Sequence, residues 1–200
     1  MKKLSKDDII SYLAIFIIIV SLASIGMKLT GYANVTDIAV VNVTIDSKAA
    51  LNFTIDFLDF GNGTVDNGEL GAYLYTNGTS PIGGTWSTTL THGLTLENIG
   101  NTNLTLEMYA STDADGFLGG SSPLFRYSVD ENETDACQGG IDLADGSTYR
   151  DLNTTNITLC SVFPFDNGMD ELDIDIMLYV PEDSFIGERT ATITAIGYYS

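Results

Sequence analysis

Apolar residues alternate with polar ones in many short runs of the chain, which is the pattern of strands with one buried face. Turn sequences rich in Gly, Asn and Asp separate these runs, which occupy residues 39–46, 51–57, 70–75, 94–96, 104–108, 125–129, 172–180 and 191–195. No helix is predicted after residue 33. The pattern therefore predicts an all-β domain, a single immunoglobulin-like or jelly-roll-like β-sandwich of about eight or nine strands.

Five of these runs carry more specific predictions. Residues 94–96 and 104–108 flank the turn sequence 98–101, so we expect them to pair as a hairpin. The run 172–180 is predicted as a core strand that ends at Pro181, with Asp173 and Asp175 on an acidic outer face. Alternation also places Asn42 and Asn52 on the solvent side of the first two strands.

The N-terminal part of the chain has a different composition. Residues 9–27 carry no charge, and such a stretch can cross a hydrocarbon core of about 30 Å as a helix. Three lysines precede it, which favours a cytoplasmic N-terminus. We therefore predict a hydrophobic helix within residues 1–33, a membrane anchor or signal segment that contacts the membrane through residues 9–27, and an extracellular domain over residues 34–200.

The fate of this segment stays open at the level of sequence. Small residues at positions 31 and 33, and at 21 and 23, fit a signal peptidase site, and cleavage would give a secreted or cell-surface protein. The apolar stretch is longer than a usual signal-peptide core, which favours a retained anchor. A pilin-type helix is a third alternative, although acidic residues precede the apolar run.

The charge is strongly acidic, with a formal net charge of −19. From Asn34 onward there are 25 acidic residues and only four basic ones. Nucleic-acid affinity comes largely from Lys and Arg that neutralise phosphates, so nucleic acid is excluded as a partner. The acidity favours a soluble, self-repelling surface over a site for cations or basic partners.

The two cysteines and the asparagines agree with export. Cys137 and Cys160 are the only cysteines, and in an exported domain such a pair is expected to form a disulfide rather than part of a metal site. Nine of the thirteen asparagines begin Asn-x-Thr, where chance gives about 2.5, so glycosylation is predicted, although Thr is also common in strands. The predicted glycosylation sites are Asn34, Asn42, Asn52, Asn62, Asn77, Asn103, Asn132, Asn153 and Asn156.

The sequence gives little support for catalytic activity. Nucleophile motifs are absent, and His92, beside a glycine, is expected in a turn, so we predict no catalytic residues, no cofactor and no enzyme activity. Asp113 and Asp115 resemble the start of a calcium loop without its later glutamate, and residues 142–145 are a looser match, so calcium remains a weak alternative. Trp86, Tyr198 and Tyr199 are expected to pack in the core or on a sheet face rather than to form a contact surface.

Several sequence features resemble those of a known group of proteins. They are residues 96–101, the pair Cys137 and Cys160, residues 170–175, and residues 180–183 before Gly187. Together they resemble small archaeal membrane-anchored surface proteins with one immunoglobulin-like sandwich. A fainter likeness is to camelysin-type biofilm fibre subunits, which polymerise by donating a strand. These resemblances imply an architecture and a location, and no catalytic residues.

Three functions follow, in order of support. The first is a cell-surface structural or adhesive protein, whose strands at 39–46 or 191–198 pair with other copies, as in an extracellular fibre. The second is a monomeric extracellular module that binds a carbohydrate or a cation. The third, with least support, is a hydrolase that uses two aspartates.

Overall fold

The computed structural model describes residues 6–29, 42–139 and 148–199. The chain divides into two compact units, Met1–Thr44 and Ile45–Ser200. The first contains helix α1, Lys6–Leu29, which agrees with the predicted hydrophobic helix. Its large apolar side chains from Ile10 to Val20 are exposed. Within the described residues, no helix combines the length and apolar content that a membrane crossing needs.

The second unit is a β-sandwich, as predicted, and its two antiparallel sheets contain nine strands. The strands are β1 Asn52–Ile55, β2 Gly71–Tyr75, β3 Leu94–Glu97, β4 Leu104–Ala110, β5 Leu124–Glu131, β6 Arg150–Asp151, β7 Ile157–Phe163, β8 Glu171–Pro181 and β9 Ile193–Tyr199. A four-residue helix, α2 Ala114–Phe117, lies between β4 and β5. The expectation of no helix after residue 33 was therefore wrong for this one turn.

Six strands form the larger sheet, which we call sheet 1. Its order is β1-β3-β8-β5-β6, and β2 also pairs with β8. The long strand β8 pairs with β5 along one edge, while its other edge pairs with β3 in its first half and with β2 in its second half. Sheet 2 has the order β7-β4-β9. Strand β8 therefore organises sheet 1, and β4 organises sheet 2.

The apolar faces of the two sheets enclose one core. In β4 every second side chain is buried, as period-two alternation predicts, and in β8 the inward positions from Leu172 to Leu178 are buried as well. The largest buried side chains come from both sheets: Leu96, Leu104, Leu106, Met108, Leu152, Leu159, Phe163, Leu172 and Ile174. Their removal from water is the main source of stability for such a domain.

The predicted hairpin of residues 94–108 is wrong. Strand β3 pairs with β1 and β8 in sheet 1, whereas β4 pairs with β7 and β9 in sheet 2. The connection at residues 98–103 therefore crosses from one sheet to the other. Alternation shows only that both strands bury one face, and two strands that face each other across a core have the same pattern as two that pair.

A buried asparagine holds this crossing in place. Asn98 is only 1% exposed. Its Nδ2 donates to the carbonyl oxygens of Phe163 and Pro164, at 3.1 and 2.9 Å, and to that of Thr102 at 3.1 Å. Its Oδ1 accepts a hydrogen bond from the backbone N–H of Gly100 at 3.1 Å. This side chain thus supplies hydrogen bonds to backbone groups where β3 and β7 end.

The first predicted strand is also wrong over its described part. Residues 39–41 lie outside the described residues, and residues 42–46 form no strand. Val43 and Ile45 are each 80% exposed, although the sequence pattern assigned them to the core. Asn101 holds the chain just beyond them, because its side chain donates to the carbonyl oxygen of Asp46 and accepts from the N–H of Lys48. Residues 42–46 are therefore a segment with a strand pattern but no strand partner.

Candidate functional site

Four tyrosines lie together on the outer face of sheet 1. Tyr73 and Tyr75 come from β2, Tyr179 lies opposite Tyr73 on β8, and Tyr149 precedes β6. The ring centroids of Tyr73 and Tyr179 are 4.7 Å apart, those of Tyr73 and Tyr75 are 6.4 Å apart, and those of Tyr75 and Tyr149 are 6.2 Å apart. We call these four residues the tyrosine strip. Tyr73 is 36% exposed and the others are partly exposed, so the strip reaches solvent.

A glycine shapes one end of the strip. A Cβ atom on Gly71 would come within 2.4 Å of the ring of Tyr179. The ring of Tyr179 therefore lies directly over the backbone of Gly71, an arrangement that any larger residue would prevent. The sequence alone showed Gly71 only as the second residue of the predicted strand 70–75.

Carboxylates lie next to the tyrosine strip on β8. Asp175 is only 6% exposed, and it accepts a hydrogen bond of 2.6 Å from Oγ1 of Thr76. The same Oγ1 accepts from the N–H of Ile176 at 2.8 Å, so β2 and β8 are joined through this threonine. The predicted acidic outer face is therefore wrong in one respect, because Asp175 faces outward but is buried.

The field of these carboxylates acts on neighbouring groups. Burial raises the pKa of Asp173, and the negative charges of Asp175 and Asp130 raise it further. Burial also raises the pKa of Tyr149, with contributions from the same two aspartates. The patch beside the tyrosine strip is therefore electronegative, and it disfavours anionic ligands.

A second acidic group lies at the other end of β8. Burial raises the pKa of Asp170 to about 6, and a hydrogen bond with Glu133 adds to this shift. Glu133 also accepts from the backbone N–H of Asp170 at 2.9 Å. The negative charge of Glu97 raises the pKa of Asp170 as well. Protonation of Asp170 therefore relieves repulsion among three carboxylates.

Strand β9 is the longest of the described strands that lack a partner along one whole side. It pairs with β4 along all seven of its residues, and no strand pairs with its other side in the described part of the chain. Its residues, Ile193–Tyr199, include no charged residue and no proline, the usual protections of a sheet edge. By contrast, β7 has a partner in Gln138, which exchanges two backbone hydrogen bonds with Val162.

The predicted glycosylation sites differ in their surroundings. Asn34 lies outside the described residues, while Asn103 and Asn153 are partly buried. The side-chain amides of Asn132 and Asn156 donate to the carboxylates of Glu171 and Glu107. The remaining ones are exposed: Asn42, Asn52, Asn62 and Asn77. Exposure at Asn52 agrees with its predicted side of β1, whereas Asn42 is exposed in a segment that forms no strand. Glycosylation itself stays a prediction.

The predicted disulfide is present. Cys137 and Cys160 are joined, with their Cα atoms 5.2 Å apart and 23 positions apart in sequence. Cys160 belongs to β7, and Cys137 follows β5 after a short connection. The bond therefore links the chain beyond sheet 1 to a strand of sheet 2, close to the core.

The motif that resembled a calcium loop has a local structural role. Oδ1 of Asp113 accepts a hydrogen bond of 2.8 Å from the N–H of Gly116 and caps helix α2. Asp113, Asp115 and Asp151 line a shallow pocket of about 220 Å³. No group of three or more carboxylate, thiol or imidazole side chains among the described residues can hold a metal ion. Residues 142–145 lie outside the described residues.

The aromatic residues singled out in the sequence fall into two groups. Trp86 packs against the core as expected, and it fits between Gly63 and Gly84, where Cβ atoms would lie 2.2 and 2.6 Å from its ring. Tyr198 and Tyr199 are 47% and 61% exposed at the end of β9. His92 lies in the irregular segment just before β3, exposed. The tyrosine strip escaped the sequence analysis because its members come from three distant segments.

No protein family model, no curated protein and no solved structure matches this chain.

Proposed function

We propose that this chain is a cell-surface structural or adhesive protein whose copies join by strand pairing. In this proposal, the N-terminal segment directs or tethers the chain to the membrane, and the sandwich lies outside the cell. The single observation that carries the proposal is the open edge of β9, which is seven residues long, uncharged and unpaired on one side in the described chain. Such an edge is a template for another strand.

The chain also contains a segment suited to that edge. Val43 and Ile45 alternate with polar residues, and both are 80% exposed. Added beside β9 of another copy, this segment would extend sheet 2 by a fourth strand and bury both side chains. Main-chain hydrogen bonds would supply affinity and the two apolar side chains would supply register.

The chemistry of the exported part supports the location. The disulfide is typical of oxidising compartments, the excess of Asn-x-Thr sequences favours the secretory route, and the exposed apolar side chains of α1 favour an apolar environment. The resemblance to archaeal surface proteins points the same way.

The test compares matched lysine substitutions on two sheet edges. Thr194 on β9 and Thr54 on β1 are each changed to Lys in the full-length chain, and Val43 is changed to Asp in a third variant. Because Thr54 completes the sequon of Asn52, N52Q is measured beside T54K to separate the edge from the predicted glycan. Light scattering after size exclusion, in detergent, measures the oligomeric state over a range of concentrations. We expect T194K and V43D to abolish concentration-dependent oligomers, and T54K to retain them.

Two results would contradict the proposal. A wild-type chain that stays monomeric at high concentration would show that copies do not join through the open edge of β9. Oligomers that survive T194K and V43D but dissociate in T54K would place the contact on sheet 1 instead.

A further inference from the structure

The tyrosine strip leads directly to a predicted glycosylation site. Strand β2 ends at Tyr75, and the sequence Asn77-Gly78-Thr79 begins two residues later. Exposure alternates along this stretch: Tyr73 is exposed, Tyr75 is partly exposed, and the residues between them and just after them are buried. Because the alternation continues one step beyond β2, Asn77 follows the two tyrosines on the exposed side of the chain.

The side chain of Asn77 is available for modification. Its Oδ1 accepts a hydrogen bond of 3.1 Å from the backbone N–H of Thr79, which is the residue that completes the sequon. Its Nδ2 makes no hydrogen bond with any described residue. The amides of Asn132 and Asn156 differ, since both donate to carboxylates. Asn77 therefore offers an amide nitrogen with no hydrogen bond to the described residues, two positions beyond Tyr75.

We propose that Asn77 carries a glycan and that this glycan packs on the tyrosine strip, with Tyr75 as the first contact. The inference rests on the proposed function, because glycosylation needs export. A lipid-phosphate-linked oligosaccharide is the donor. Nδ2 bonds to the anomeric carbon, the bond from that carbon to the phosphate oxygen breaks, and the phosphate leaves with the electron pair. The amide loses one proton, which the released phosphate takes up in the net reaction.

Physical chemistry favours the glycan as occupant of the strip. One face of a pyranose presents C–H groups of slight positive charge, and the face of an aromatic ring is negative. Attachment two residues from Tyr75 gives a high effective concentration, so even a weak contact is populated. The nearby aspartates at 173 and 175 repel anionic partners without opposing an uncharged sugar.

The experiment is a double-mutant cycle on the full-length chain purified from its native host. Glycopeptide mass spectrometry first determines which asparagines are modified. Thermal midpoints are then measured for N77Q, Y75A and the double variant, with N52Q as the control at an exposed sequon on β1. Y75F retains the ring and serves as the conservative variant.

We expect N77Q to lower Tm by about 2–4 °C in the wild-type and Y75F backgrounds, and by less than about 1 °C in the Y75A background. N52Q should shift Tm by less than about 1 °C in every background. This difference between backgrounds separates a contact with the ring from a general effect of the glycan on solubility or on the unfolded chain.

The outcomes distinguish the inference from the proposed function. Glycans on other asparagines without one on Asn77 overturn the inference alone. The same conclusion follows when N77Q has equal effects with and without the ring of Tyr75. A chain with no glycan on any asparagine overturns the inference and also removes a support of the proposed cell-surface location.

Discussion

Replacing Asn98 tests how much its side chain stabilises the connection that crosses from one sheet to the other. Its Nδ2 donates to three backbone carbonyl oxygens, and those of Phe163 and Pro164 are buried. Asn98→Asp preserves the shape of the side chain but replaces the donor with an acceptor that faces these oxygens. Leaving a buried acceptor unsatisfied costs about 1–3 kcal/mol, so two such acceptors together cost about 2–6 kcal/mol, and we take about 3 kcal/mol from the lower half of this range.

For a domain of this size, about 3 kcal/mol corresponds to a fall in Tm of about 6–12 °C. Differential scanning calorimetry measures it, and urea titration gives the free energy of unfolding independently. Asn67→Asp is the matched control, because Asn67 is exposed in a turn, and we expect it to change stability by less than about 0.5 kcal/mol. If Asn98→Asp melts within about 2 °C of the wild type, the crossing does not depend on this asparagine.

Three further predictions concern pH, the disulfide and backbone packing. The pKa of folded Asp170 is raised to about 6, so the folded state binds this proton more tightly than the unfolded state. The free energy of unfolding should therefore rise as pH falls from 7 to 4. D170N should flatten this rise when urea titrations are repeated at different pH values. Replacing both Cys137 and Cys160 by Ser should cost about 3 kcal/mol, seen as a lower urea midpoint, and an unchanged midpoint would contradict a structural role for the bond. Gly93→Ala places a Cβ atom 2.3 Å from the backbone oxygen of Ile174, and should lower Tm by at least about 4 °C; a smaller shift would show that β8 can move at this point.

The sequence pattern predicted most strands but not their partners. Leu94 and Leu106 were correctly assigned to buried faces, yet the strands that carry them lie in opposite sheets. Burial of one face is a local property, and the alternation of apolar and polar residues indicates it. The choice of partner depends on contacts between residues far apart in the chain, which no local pattern contains.

The same distinction applies to polar residues. Asp175 belongs to the outward series of β8, and the sequence therefore indicated a solvated carboxylate. In the fold Thr76, almost one hundred positions away, donates to it and helps to bury it. Val43 shows the opposite case, since its apolar type and spacing predicted a core position, whereas it is exposed. Both errors arise because the burial of a position depends on what the rest of the chain places above it.

The candidate sites divide in the same way. Cys137 and Cys160 could be paired from the sequence, because a chain with two cysteines has only one possible pairing. The tyrosine strip could not be predicted from the sequence, because β2, β8 and the segment before β6 meet only after the sheet forms. The open edge of β9 was named in the sequence only as one of two candidate edges, and the pairing of β4 shows that it is open.

Composition and alternation by themselves determined the all-β class, the disulfide, the acidic surface and the hydrophobic N-terminal helix, since each depends on residue type and near-neighbour spacing. Only the tertiary structure decided which strands pair, which polar groups are buried and which edge is open. Those outcomes depend on the relative placement of residues separated by tens of positions, and the free energy that selects them comes from packing the two sheets together.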